Sequence, residues 1–594
     1  MCGIAGFVNL DGAPADARVV AAMLATLRHR GPDDRGLISV SLRRGEIVGD
    51  ADAPADTGIG FHRLNILDLS ERGHQPMANP SETIVIAFNG EVYNAFDYKA
   101  ELEAAGFQFR SRTDTEVLLY LYEHFGLEKM LERLNGMFAL VIADLRSHEI
   151  HIARDHFGIK PLYWTHTGSS VLFASEAKAF LAHPAFRAEV DEEHVDEQLA
   201  FRYVAGEACL LKGVRQLRPG HRLTITPDGV TTTRYWSIPD GTGQALSRED
   251  AADRLDDLLR RSVASQLRSD VKVGCQLSGG IDSSLVTMYA HACAGADLDT
   301  FSVVFEDPNF SEDRWIGEAA TKAHAASHRF LFSEASFTTP LAHATWHMDQ
   351  PISHPNSLGL WLLAQRSRER VTVLLSGEGA DEVFAGYTRF RSATTTAPEA
   401  FIHRSQFQPS SKVARLRPDA NLEPAFARRT AIFNEGGGDY LANCRKYEMQ
   451  TFMVDLLVRQ DKMTMAHGIE NRVPFLDRHV VALARTLPAE HLVGDGATKI
   501  VLKELARRTF DDAFVDRAKS GFALPLSQYF RSKAFTELME DGLLPGMRRR
   551  GLVSEPAVRE LWRRSLSAPA LTEPFWIPVA LELWAQQFVD GRRV

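Results

Sequence analysis

Two stretches of this chain hold residue types suited to chemistry at a spacing that would let them act together. The first is Leu277-Ser278-Gly279-Gly280-Ile281-Asp282-Ser283-Ser284. Valines alternate through Val271-Lys272-Val273-Gly274-Cys275-Gln276 and predict a short strand before it, while Leu285 to Ala292 predicts a helix after it. A strand that ends in small residues at a helix start leaves several N–H groups converging, and the helix dipole favours an anion there. The expected anion is pyrophosphate. Gly279 and Gly280 admit close backbone approach, Ser278, Ser283 and Ser284 add hydroxyl donors, and Asp282 can hold Mg²⁺ between phosphate oxygens. No lysine stands in the loop, so it is not a GxxxxGK[ST] cradle; a plain strand-to-helix connection is the competing reading.

The second stretch begins at Cys2, directly behind the initiator Met1. Once Met1 is removed, residue 2 carries a thiol and a free α-amine. That amine, with an ordinary pKa of ~7.7–8.0, is a usable base near neutrality, and a thiolate is an effective acyl nucleophile. A buried structural cysteine is the alternative.

The elements that must position these groups exceed one core: 594 residues imply roughly two to four domains. A net charge of -10, with no basic run longer than Arg548-Arg549-Arg550, argues against a nucleic-acid partner. No apolar stretch approaches the ~20 residues that span a bilayer, and the first residues lack the charged and apolar regions of a leader. Cys2, Cys209, Cys275, Cys293 and Cys444 are odd in number and show no CxxC spacing, so neither a disulfide framework nor a zinc site is expected, and a reducing cytoplasm fits. Gly206, Gly213, Pro219-Gly220 and Pro227-Asp228-Gly229 mark a boundary, which gives a first domain over 2–205, a linker over 206–245 and a second domain over 246–594. Within the second, Thr300–Phe305 and Val371–Leu375 predict buried strands. The carboxyl ends of such strands seat nucleotides, here near Gln276, Leu277 and Val303. The segment 392–429 has few periodic apolar positions and is expected to be an irregular insertion or surface excursion.

Several blocks carry family resemblances. Cys2-Gly3-Ile4-Ala5-Gly6-Phe7, Arg28 to Asp34, Gly60 to Ile66, Ala87 to Asn94 and Arg112 to Glu116 resemble, in order, the blocks of the class II glutamine amidotransferases. That likeness implies an αββα sandwich of the amino-terminal-nucleophile hydrolase type, consistent with the predicted strands 84–88, 138–144 and 148–155 and helices 16–27, 98–105 and 115–125. It makes Cys2 the nucleophile that releases ammonia from glutamine, Arg63 the partner of the α-carboxylate, and Glu91 and Asp114 the groups facing the α-ammonium. The Asn89 side chain and the Gly90 N–H are candidate oxyanion donors. Asn89-Gly90 also has the composition of a type I′ hairpin turn.

Ser278 to Ser284 resembles the loop of the ATP pyrophosphatases, and Ser376-Gly377-Glu378-Gly379-Ala380-Asp381-Glu382 resembles the signature of the asparagine synthetase family. Arg459 to Met463, Gly468 to Asp477 and Arg517 to Phe522 fit the same family. This likeness implies an α/β ATP-pyrophosphatase-type domain with a largely helical C-terminal part. Asp381 would join Asp282 as a Mg²⁺ ligand, Glu378 would be the base for the incoming amine, Ser376, Gly377 and Lys462 would contact ATP or pyrophosphate, and Lys519 would neutralise charge on the departing pyrophosphate. The implied substrates are glutamine, ATP and a carboxylic acid, usually aspartate, with subunit pairing a further family expectation. Asp349-Gln350-Pro351 stands where relatives often carry Asp-Glu-Pro, which leaves the acceptor open: another carboxylic acid, or a glutaminase with a non-catalytic second half, are the alternatives.

Overall fold

The computed structural model describes residues 2–48, 54–241, 246–295, 297–391, 397–517 and 524–592. The amino-terminal half is built from two antiparallel sheets. Its strands are β1 (Gly3–Asn9), β2 (Asp34–Ser41), β3 (Glu46–Val48), β4 (Thr57–Arg63), β5 (Met77–Ala78), β6 (Ile84–Val92), β7 (Gly136–Asp144), β8 (Glu149–Arg154), β9 (Tyr163–Thr167), β10 (Ser170–Ala174), β11 (Val214–Gln216), β12 (His221–Thr226) and β13 (Gly229–Arg234). One sheet runs β11-β9-β10-β1-β4-β2-β3 and the other β13-β12-β8-β7-β6-β5.

Side-chain alternation along a strand explains why four layers form. Ile4 and Val8 of β1 meet Val85 and Ala87 of β6 between the sheets. Ala5 and Phe7 face the other way, onto Val20 and Met23 of the Ala17–Ala25 helix. Ile84, Ile86 and Phe88 pack against Leu118 and Leu121 of the Asp114–Arg133 helix. The result is the αββα sandwich expected from the motifs.

In this half two expectations meet a different outcome. The stretch 206–245 supplies β11 to the first sheet and β12 and β13 to the second, because glycine and proline mark turns between paired strands as readily as boundaries between domains. Asn89-Gly90 is not a hairpin turn: both residues lie inside β6, opposite Ala139 and Phe138 of β7. Gly90 is needed there for room, since a Cβ on it would stand 2.1 Å from the Met137 carbonyl oxygen.

The second half is organised around a parallel sheet of order β16-β15-β14-β17-β18, with β14 (Val273–Gln276), β15 (Asp299–Val304), β16 (Ala326–Leu331), β17 (Val373–Leu375) and β18 (Glu470–Arg472). Cys275 pairs with both Thr300 and Leu375, so β14 is central and its carboxyl end stands beside that of β17. The Ser-Gly-Gly turn leads from β14 into the Ile281–Ala294 helix, with Gly279 at φ 78°, a left-handed conformation that glycine adopts without strain. The two loops touch: a Cβ on Gly377 would meet the Ser283 nitrogen at 2.7 Å. The segment 397–433 is helical, not irregular, with helices Pro398–Ser405, Ser410–Leu416 and Glu423–Phe433 that bury Phe401, Val413 and Ala425. These helices are short and their apolar stripes correspondingly brief, which is why their period is faint in the sequence.

Candidate active site

The first pocket lies at the amino-terminal ends of β1 and the Asp114–Arg133 helix and is lined by Cys2, Arg63, Leu64, Gly90, Glu91 and Asp114 among others. Cys2 is buried. Its backbone N–H donates to Asn89 Oδ1 at 2.8 Å, which ties the residue to β6. Asn89 Nδ2 is buried with no hydrogen-bond partner among the described residues, so the same amide that holds Cys2 keeps a donor in reserve. Burial pushes the Cys2 thiol up, and the Leu64 backbone and the Arg63 charge pull it back. Arg63 Nη1 and Nη2 donate to the carbonyls of Ser70, Leu67 and Asp68, at 3.0, 3.1 and 2.6 Å, so the guanidinium also fixes the wall of the pocket.

Glu91 and Asp114 are both buried here. Burial, aided by the charge of Glu470, pushes Asp114 up to about 6, although its Oδ2 accepts the Val92 N–H at 2.9 Å. Burial and the neighbouring Asp114 push Glu91 well above the usual carboxylate range. Two crowded carboxyl groups of this kind favour a cationic guest. Charges from the second half of the chain, to which no motif gives a role, reach both acids. Arg472 Nη2, on β18, stands 3.4 Å from Glu91, and Glu470 acts on Cys2, Glu91 and Asp114 alike. Charged residues spaced two apart in a buried strand were the available signal.

The second pocket is a cavity of about 400 Å³ at the carboxyl ends of β14, β15 and β17. It is lined by Gln276, Leu277, Ser278, Asp282, Ser283, Val303, Ser376, Gly377, Glu378 and Asp381, while Gly279, Gly280 and Ser284 complete the turn beside it. Lys499, which no motif pointed to, reaches both acids: its Nζ is 2.6 Å from Asp282 Oδ2 and 2.7 Å from Asp381 Oδ1. One cation already bridges the two side chains expected to hold Mg²⁺, and Asp282 Oδ1 is buried without a hydrogen-bond partner among the described residues. Glu378 lies 3.9 Å from the Arg459 guanidinium. Glu382, also unassigned from sequence, is buried beside Asp381; burial and that charge push it up to about 8, and the Tyr387 hydroxyl donates to it at 2.5 Å.

Lys462 is placed away from this cavity. Its Nζ is buried against Asp349, the Tyr163 hydroxyl at 2.9 Å and the Met348 carbonyl at 3.0 Å. A basic residue inside a family block was the reason to expect phosphate contact, and the same charge instead neutralises a buried acid between the two halves. Lys519 lies outside the described residues. Between the pockets, Arg30 donates to the Cys2 carbonyl at 3.0 Å, to Glu176 at 2.7 Å and to Asp461 of the Phe452–Met465 helix at 2.8 Å. The adjacent Gln460 lines the second cavity.

Family models match both halves: the glutamine amidotransferase domain over residues 1–236 and asparagine synthase over residues 254–586. The chain belongs to the asparagine synthetase family. It is 32% identical over 576 residues to asparagine synthetase [glutamine-hydrolyzing] 1 of Bacillus subtilis, covering 90% of this chain and 88% of that protein. It is 31% identical to a putative asparagine synthetase [glutamine-hydrolyzing] of Mycobacterium bovis, covering 90% and 89%. It is also 26% identical to an amidase, chry2, of Gibberella zeae, covering 88% and 89%. As an asparagine-synthetase-type glutamine amidotransferase it is an ATP-dependent, glutamine-hydrolysing ligase. No helix among the described residues is long and apolar enough to cross a membrane.

Proposed function

We propose that Cys2, freed of Met1, attacks the side-chain amide of glutamine, and that the ammonia released amidates a carboxylic acid activated as its adenylate in the second pocket. The observation that carries the first half is the Asn89 amide, whose oxygen anchors the Cys2 N–H while its unpartnered Nδ2 is available to an oxyanion. The α-amine takes the thiol proton as the thiol adds to the amide carbon, and returns it to the departing nitrogen; water then resolves the thioester to glutamate. Arg63 faces the α-carboxylate, and Glu91 and Asp114 the α-ammonium.

In the second pocket Ser278, Ser283 and the Gly279-Gly280 turn cradle pyrophosphate, Leu277 and Val303 seat adenine, and Glu378 takes a proton from the attacking ammonia. Asp282 and Asp381 fit a Mg²⁺ ion, being two acids close enough to share one ammonium. When bound, that ion supplies charge neutralisation at the phosphate oxygens. Aspartate, giving asparagine, AMP and pyrophosphate, is the first acceptor to test. A second reading, amidation of another acid, is favoured by the 349–357 segment: Asp349 is paired with Lys462 and does not line the cavity, whereas Arg202, His354 and Arg459 do.

The test counts pyrophosphate and glutamate together, with glutamine, ATP, Mg²⁺ and a panel of acids. Glutamate release without pyrophosphate under every acid would overturn the ligase assignment of the second pocket. Cys2→Ala is expected to abolish use of glutamine and to keep synthesis from added ammonium. Loss of both in a folded variant would reject the division of labour.

A further inference from the structure

Arg472 is one residue with contacts in both pockets. Its guanidinium is fixed from the second half of the chain: Nε donates to Glu470 at 2.6 Å, and Nη1 donates to the carbonyls of Gln266 and Arg268 at 2.6 and 2.8 Å, at the end of the Arg248–Gln266 helix. That leaves Nη2 directed across the domain seam, 3.4 Å from Glu91. Its backbone carbonyl accepts the Ser376 N–H at 2.9 Å, and the preceding Asn471 donates from Nδ2 to Ser376 Oγ at 3.1 Å. Ser376 is the first residue of the second loop over the adenylation cavity. The path from the glutamine pocket to that loop is therefore one side chain and one strand, with no intervening turn.

We propose that Arg472 couples occupancy of the glutamine pocket to the second loop of the adenylation cavity, which begins at Ser376. This rests on the reading that the α-ammonium of glutamine docks against Glu91 and Asp114. An ammonium at Glu91 competes with Nη2 for the same carboxylate. The anchors at Nε and Nη1 keep the guanidinium from following its partner, so the altered balance of forces falls on β18 and on the carbonyl that holds Ser376. By linkage, whatever change glutamine makes to nucleotide affinity, nucleotide must make to glutamine affinity.

The experiment uses the full chain and two probes, Mg·ATP titrated calorimetrically and 6-diazo-5-oxo-L-norleucine, a diazoketone that alkylates the thiol and leaves its amino-acid head in the pocket. Labelling Cys2 is expected to change the Kd for Mg·ATP by at least about 5-fold in the unmodified chain. In Arg472→Gln the change should shrink below about 2-fold while labelling still goes to completion, with Arg472→Lys between the two. Asn471→Ala, which removes the side-chain strut to Ser376 and leaves the guanidinium in place, should reduce the change as well and serves if Arg472→Gln does not fold. A labelled natural chain with unchanged Kd, or variants that retain its full change, overturns the coupling alone. A chain that takes no label at Cys2 overturns the pocket assignment and the coupling with it.

Discussion

At the residue scale, Asn89 and Asp114 give the sharpest expectations. Removing the reserve donor with Asn89→Ala should lower glutaminase kcat by roughly 10²–10³ and alter KM for glutamine little, because an oxyanion forms only after the substrate is bound. Steady-state glutamate release measures both. For Asp114 the sign follows from its environment. Its pKa is raised to about 6, so it is ionised at neutrality and takes up a proton as pH falls through that value. The α-ammonium then loses the negative charge of Asp114, and kcat/KM for glutamine should decline below about pH 6 while kcat at saturation holds better. Asp114→Asn should lower kcat/KM at neutrality and flatten that limb; a limb unchanged in the variant would assign it to another group. The residue types in the glutamine pocket were readable in the sequence because each sits in a short block with its neighbours. The orphaned Nδ2 and the crowded carboxyl groups were not readable, since both are properties of burial and of groups hundreds of positions away.

At the scale of elements, strands and helices near the motifs follow from local pattern, whereas strand partners follow from the fold. Asn89-Gly90 shows the difference. Composition suggested a turn, yet β6 continues through both residues because β7 pairs with it along its whole length and the bare glycine lets the Met137 carbonyl approach. Gly90→Ala should push β6 and β7 apart at that point and destabilise the domain by about 1–3 kcal/mol, the range for overpacking, with a lower midpoint in urea. Lys499 belongs to this scale too, because it enters the site from the start of the Ile500–Ala506 helix, more than a hundred residues beyond either acid. Lys499→Met leaves two acids facing each other. Its melting temperature is expected to fall relative to the natural chain in chelator and to recover part of the loss when Mg²⁺ is added, while glutaminase turnover persists. A Mg²⁺ response no larger than that of the natural chain would argue against a metal at these two acids.

At the scale of the whole molecule, charges buried between the halves do what separate sequence blocks could not reveal. Arg30 sits within a glutaminase block and Asp461 within a synthetase block, and only the fold joins them. Arg30→Met would remove one cation from a buried network in which Glu176 keeps Lys178 and Asp461 keeps Lys160, at a cost below the ~3–5 kcal/mol of a buried ion left with no partner. Calorimetry should show a lower first transition and, with the seam weakened, separation of the two halves into distinct unfolding events. A single transition at an unchanged temperature would mean that the network carries no such role. The domain order was legible because motifs come in order along the chain; the seam was not, because its contacts, such as Lys462 with Tyr163 and Asn135 with Asp477, span about 300 residues or more.

The same buried charges bear on how such chains can be recombined. A hybrid gene taking its first half from one parent and its second from another must still bring matched ions together, because a dry interior offers an unmatched ion no solvent. Exchange between relatives should therefore succeed when the parents keep both pairs, Arg30 with Asp461 and Glu91 with Arg472, and fail when one half brings a charge that the other does not answer.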